Sequence, residues 1–196
     1  MSVLINASTT SGLVQTADTS GTLELQSNGT TQLTVSSAGA YGQLKFGTAV
    51  ATTSGASVLI TGVPTWARRV TLTLNGVTSS GASYLAVQLG SGGSLQTTGY
   101  TGTTGGVYAS SASSTASGST SFLFSNTIAG VATYGTLVFV NVGSNTWILN
   151  GTVGATNRIS SSAGGVTLTS ALDRLSISDN APGTFSAGSI NILYEG

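Results

Sequence analysis

Few residues in this chain could do acid–base or nucleophilic chemistry. The sequence contains no histidine and no cysteine. A Ser-His-Asp arrangement is therefore impossible, as are a thiol nucleophile, a disulfide and a thiolate metal ligand. Lys45 is the one lysine and sits in no nucleophile motif. The carboxylates Asp173 and Asp179 have the residue type that paired-carboxylate hydrolysis needs. Their neighbours favour a structural reading: Asp173 pairing with Arg174 or Arg158 at a sheet edge, and Asp179 forming a side-chain turn with Asn180. Asp179 and Asn180 also have oxygen atoms suited to Ca²⁺, but one carboxylate and one amide are too few ligands. Glycine clusters at 90–93 and 105–106 precede no helix, so they do not read as phosphate cradles. No catalytic residue, cofactor or metal is expected.

Binding residues are better represented. Arg68 and Arg69 lie beside Trp66 and form the densest charge in the chain. Adjacent strand residues point to opposite faces, so one arginine is expected to face inward or into an interface. It would pair with a carboxylate such as Glu195 or stack on Trp66, and stability is the favoured role. Tyr100, Tyr108 and Tyr134 stand apart from the regular patterns; exposed tyrosines bind glycans or proteins, and equally they anchor loops. The sequons at Asn6, Asn28 and Asn150 follow no secretion signal and read as chance matches in a Ser/Thr-rich chain.

Elements must position these residues, and the composition says which kind. Only 5% of the 196 residues are charged and the net charge is zero, against about 25% charged in a typical domain. No basic run supplies counterion release, so nucleic acid is not an expected partner. The longest strongly apolar run, 137–140, is far too short to span a membrane. Hydrophobic residues make up 39%, enough for a core, and an uncharged surface gives a lone domain little colloidal protection. Burial against other subunits would account for it.

Apolar residues recur with a period of two, the signature of strands. Leu175 and Ile177 alternate with serines, and Ile190, Ile192 and Tyr194 form a closing strand. Val70, Leu72 and Leu74 share one face, as do Leu85, Val87 and Leu89. The run 134–142 is continuously apolar in its middle and reads as a strand buried on both faces. Short strands are also predicted at 58–60, from Phe122, at 147–149 and at 166–168, with turns at Gly62-Val63-Pro64, Asn75-Gly76, 143–145 and Asn150-Gly151. Residues 90–121 are weakly patterned, with Leu95, Tyr100, Val107 and Tyr108 as isolated anchors, and are expected to include an exposed loop. No window shows a helical period, so no substantial helix is expected. The fold class predicted is all-β: an antiparallel β-sandwich or jelly roll over 41–196, preceded by a short extended or hairpin arm over 1–40. In the arm, Val3 and Ile5 open a strand and Leu13 and Val14 follow. Leu23 and Leu25 then face one way, Asn28-Gly29 turns the chain, and Leu33 and Val35 return. A hairpin with so few large apolar groups is marginal alone.

Two stretches carry a resemblance. Thr19–Val35 (TSGTLELQSNGTTQLTV) is similar to leader segments of tailed-bacteriophage fibre-type proteins. The segment from 63–74 (VPTWARRVTL and following) to 187–195 (AGSINILYE) resembles a recurring C-terminal β domain of phage structural proteins. The resemblance implies a non-enzymatic virion surface protein: a homotrimer attached through its N-terminal arm, contacting other tail or capsid proteins, with a host-surface glycan as a further partner. A short tail fibre or receptor-binding protein is the first expectation and a capsid decoration (cement) protein the alternative. A carbohydrate-binding module is a more distant one. The residues expected at interfaces or ligands are Leu23, Leu25, Leu33, Val35, Trp66, Arg68, Tyr100 and Tyr108.

Overall fold

A computed structural model describes residues 22–27, 29–36, 39–41, 44–109, 114–180 and 183–196. Val3, Ile5, Asn6, Leu13, Val14 and Asn28 lie outside them. The described residues contain no helix, and every strand pairing is antiparallel. The chain divides into two compact units, 1–43 and 44–196.

The first unit holds β1 (Leu23–Ser27), β2 (Thr30–Ser36) and β3 (Gly39–Tyr41) in one three-stranded sheet. Gly29 closes the β1–β2 hairpin with φ +71°, a conformation glycine adopts without a steric penalty.

The second unit is a sandwich of two sheets. Its strands are β4 (Leu44–Phe46), β5 (Val50–Ala51), β6 (Ser57–Thr61), β7 (Arg69–Ser79), β8 (Tyr84–Ser91), β9 (Ser94–Leu95), β10 (Thr101–Tyr108) and β11 (Ser114–Ser117). They continue with β12 (Phe122–Asn126), β13 (Thr133–Gly143), β14 (Thr146–Ala155), β15 (Arg158–Thr167), β16 (Leu172–Asp179) and β17 (Phe185–Glu195). Nine strands form one sheet in the order β11-β10-β15-β14-β13-β7-β17-β4, with β5 also paired to β17. Five form the other, β12-β8-β16-β6, with β9 on β8.

Alternation explains the core. Val70, Leu72, Leu74, Leu85, Val87, Leu89, Leu175, Ile177, Ile190, Ile192 and Tyr194 are all buried. Each comes from a period-two run, so these strands present apolar faces across the sandwich. The Phe122 ring lies between Tyr100, edge-on at 4.8 Å, and Phe139 at 6.1 Å. Gly102 and Gly164 leave room for it. A Cβ on Gly164 would stand 3.0 Å from Phe122 Cε1 and 2.8 Å from Gly102 Cα.

Several expectations are corrected. The weakly patterned stretch 90–121, in which the sequence predicts no strand, contains β9, β10 and β11, because Gly and Thr pair in a ladder without showing an apolar rhythm. Asn75-Gly76 does not end its strand. β7 runs on to Ser79, and Gly76, at φ +67°, lies where the pairing with β17 shifts register, so the dipeptide marks a bulge. Asn150-Gly151 is likewise no turn but the middle of β14, with Gly151 directly opposite Leu137. β13 is not buried on both faces: Leu137 and Phe139 are inside, while Tyr134, Val140 and Val142 are exposed. The turn at 143–145 stands as expected, with Ser144 at φ 49° and Asn145 at φ 56°, the positive pair of a tight hairpin.

Candidate interaction surface

The outward face of the nine-stranded sheet is set by its register. One row runs Glu195, Arg69, Val140, Ile148, Gly165, Thr101. Another, at the opposite end of the strands, runs Tyr134, Gly154, Ile159, Val107. Between them lie Val138, Thr136, Thr152 and Ser161, with Asn150 and Ala163. Among the described residues, the charged groups pointing outward from this sheet are Arg69 and Glu195, and they pair with each other at 3.3 Å. Thr152 and Ser161 hydroxyls bond across strands at 3.2 Å. The face is therefore neutral and edged by apolar side chains: Val107 is 69% exposed, Ile159 57% and Val142 57%. Interface cores are depleted of charge in this way.

The three-stranded unit carries a second such stripe. Leu23 pairs with Val35 and Leu25 with Leu33, so the four predicted contact residues meet on one face. Leu23 and Leu25 are each 41% exposed. Glu24 holds the opposite face, accepting from Gln26 Nε2 at 3.0 Å and Thr31 Oγ1 at 3.1 Å.

The other predicted residues scatter. Trp66 packs half-buried against the core. Arg68 is exposed; its backbone N–H donates to Glu195 O at 2.7 Å and its carbonyl accepts from Asn141 N at 2.8 Å. Neither arginine of the pair faces inward, because Arg68 precedes β7 and Arg69 takes its outer side. Tyr100 is corrected from ligand contact to anchor. It is buried, its hydroxyl accepts from Leu89 N–H at 2.8 Å and donates to Leu89 O at 3.2 Å. Burial pushes its pKa up to about 12, opposed by the bond from Leu89. Tyr108 is half-buried, with its hydroxyl 3.2 Å from Ser114 Oγ.

The carboxylates take structural positions. Asp173 accepts from Arg174 Nε and from Gly93 N–H, both at 2.8 Å, and the Arg174 bond is the main reason its pKa is depressed. Its strand, β16, has neighbours on both sides, so it is not at an edge. Asp179 is buried and accepts from Ser79 Oγ. Among the described residues no group of three or more His, Cys, Asp or Glu could hold a metal ion, and no helix is long and apolar enough to cross a membrane.

One residue that sequence reasoning offered only as a partner for Asp173 stands out, since Asp173 pairs with Arg174 instead. Arg158 is 4% exposed, and its Nη1 and Nη2 have no hydrogen-bond partner. The signal was present: Val166, Gly164, Ser162, Ser160 and Arg158 share a parity, so the inward Val166 places Arg158 inward too.

Fold and surface together define an all-β antiparallel sandwich protein with a small separate sheet unit. No family model, no curated protein and no solved structure matches the chain.

Proposed function

We propose that this chain is a non-enzymatic structural protein of a bacteriophage virion surface, a homotrimer attached through its N-terminal unit and acting as a short tail fibre or receptor-binding protein. The observation that carries the reading is the in-register stripe Leu23/Val35 and Leu25/Leu33, left open on a three-stranded sheet. Half-exposed apolar side chains in one stripe gain free energy by burial against another surface, and copies of the same stripe around an axis provide it. The neutral outer face of the large sheet supports the same reading, since it offers area for contacts without charges to desolvate. Asp173, held by Arg174, supports the non-enzymatic part, because a carboxylate kept ionised in an ion pair is a poor general acid.

Antibody labelling of intact phage particles tests this. Label at the tail is the expected result. Label on the head would replace the fibre role with capsid decoration, and unlabelled particles from a culture expressing the chain would overturn the virion reading altogether.

A further inference from the structure

The two sheets part along the side where each ends in an edge strand. β4 closes one end of the nine-stranded order and β6 one end of the five-stranded order. Between them lies a cleft of about 360 Å³, lined by β4, β5 and β6 and by Ile192 and Tyr194 of β17. That volume falls within the range of small-ligand sites. Register decides which side chains turn into it. Lys45 stands directly opposite Tyr194, and residues directly opposite across an antiparallel pair share a face. Tyr194 belongs to the buried core, so Lys45 also projects from the inner face of its sheet. Ile60 is in register with the buried Leu175 and faces inward from the other sheet. Phe46 and Leu59, in register with Leu193 and Ser176, take the opposite faces of their sheets and form only the outer lips.

Tyr194 is 4% exposed. Its hydroxyl makes no hydrogen bond among the described residues, and it is not one of the buried atoms sealed from solvent. The opening it reaches is the cleft that its side chain lines. Buried tyrosine hydroxyls usually find a partner. Tyr100 shows the usual case, with its hydroxyl committed to both backbone groups of Leu89. Burial raises the pKa of both phenols, but only at Tyr100 does a bond oppose the shift. Lys45 is exposed and takes part in neither ion pair of the described residues. No Asp or Glu lines the cleft. The site therefore offers a cation at its lip, an unused hydroxyl further in, and apolar wall from Val50, Ile60 and Ile192.

We propose that this cleft binds a small hydroxylated carboxylate of the acidic-sugar class, its carboxylate on the Lys45 ammonium and a hydroxyl on the Tyr194 phenol. Charge, depth and wall chemistry select that class. The lining holds one cation and no second lysine or arginine. It matches the single charge of a carboxylate better than the charge of about −1.5 to −2 on a phosphate group near neutral pH. A purely hydrocarbon body would cover the Tyr194 hydroxyl and leave it unsatisfied, which costs more than an ordinary hydrogen bond returns. The ligand therefore carries a hydroxyl set apart from its charge. Between the two polar groups, the C–H face of a sugar ring would rest on Ile60 and Ile192. The ion pair at the lip stays in contact with water and adds modestly, so the recessed phenol supplies much of the selectivity. Every residue of the site belongs to the sandwich unit, 44–196, so binding does not depend on virion assembly.

Equilibrium dialysis of radiolabelled D-glucuronate against the full chain, at ionic strength held constant with sodium chloride, tests the site. Glucuronate is expected to saturate one site per chain. D-glucose lacks the charge and acetate lacks the hydroxyls, so each should compete more weakly. Glucose 6-phosphate, with its excess charge, should also compete more weakly. Tyr194→Phe removes an oxygen that bonds nothing in the free fold, so the variant should fold as the parent does. It should weaken glucuronate about three- to tenfold, the usual worth of one hydrogen bond, and leave acetate unchanged. Lys45→Met alters an exposed residue and should reduce glucuronate to the level of glucose. Lys45 is the one lysine, so NMR of the lysine-labelled protein reports on this position alone. Its side-chain signals should shift along the same saturation curve. No saturable binding, unchanged affinity in either variant, any of the three competitors matching glucuronate, or lysine signals that stay in place while glucuronate binds would overturn the proposal.

Discussion

The two ends of β15 face the same interior and meet opposite surroundings. Val166 joins the apolar core with Trp147 and Leu149. Eight residues earlier on the same face, Arg158 is enclosed without a countercharge. Between them Gly164 makes space for Phe122, and Ser162 and Ser160 carry the change. A protein interior tolerates apolar side chains cheaply and polar ones only when each is paired. One end of the strand therefore contributes stability, while the other gives some away. A buried charge left unpaired departs from the pairing that the rest of a core keeps.

Substitutions at the two ends should separate these roles. The largest effect is expected at Phe139, fully buried against Phe122. Phe139→Ala should cost about 3–5 kcal/mol in chemical denaturation, the usual range for emptying an aromatic site. A pH effect belongs to the same apolar end. The Tyr100 phenol has a folded-state pKa raised to about 12 by burial, against about 10 in an unfolded chain. Its contribution is fully present below pH 10 and is lost as pH rises through 12. Denaturation midpoints should fall across that window in the parent protein, and Tyr100→Phe should flatten the fall. At the polar end, Ser162→Ala removes the bonds to Thr104 and Phe124 and should cost about 1 kcal/mol. Arg158→Met should have the opposite sign and raise stability on the order of 1 kcal/mol, because it removes an unpaired buried charge. A destabilising Arg158→Met that still folds would mean the guanidinium is satisfied in solution, and the contrast between the two ends would disappear.

The apolar end was legible in the sequence, because strands β7, β8, β16 and β17 alternate cleanly. The polar end was not. Thr101–Tyr108 and Arg158–Gly165 are Gly, Ser and Thr almost throughout, and these residues form ladders without a hydrophobic rhythm. Turn chemistry misled in two places: Asn75-Gly76 serves a bulge, and Asn150-Gly151 provides a thin inner face opposite Leu137. The outward Val140 and Val142 made β13 look buried on both sides, since hydrophobicity alone does not tell a core from a surface meant for contact. Of the predicted contact residues, the four from the hairpin come together, because cross-strand register follows from a short turn. Trp66, Arg68, Tyr100 and Tyr108 depend on long-range pairing that single-residue reasoning does not reach.

The association of copies through the N-terminal stripe is tested most directly by light scattering on the purified full chain. The account predicts a mass of three copies of 19.3 kDa, and reversion to one copy when Leu25 and Leu33 are both changed to Asp. A parent protein that elutes at 19.3 kDa at all accessible concentrations would contradict it.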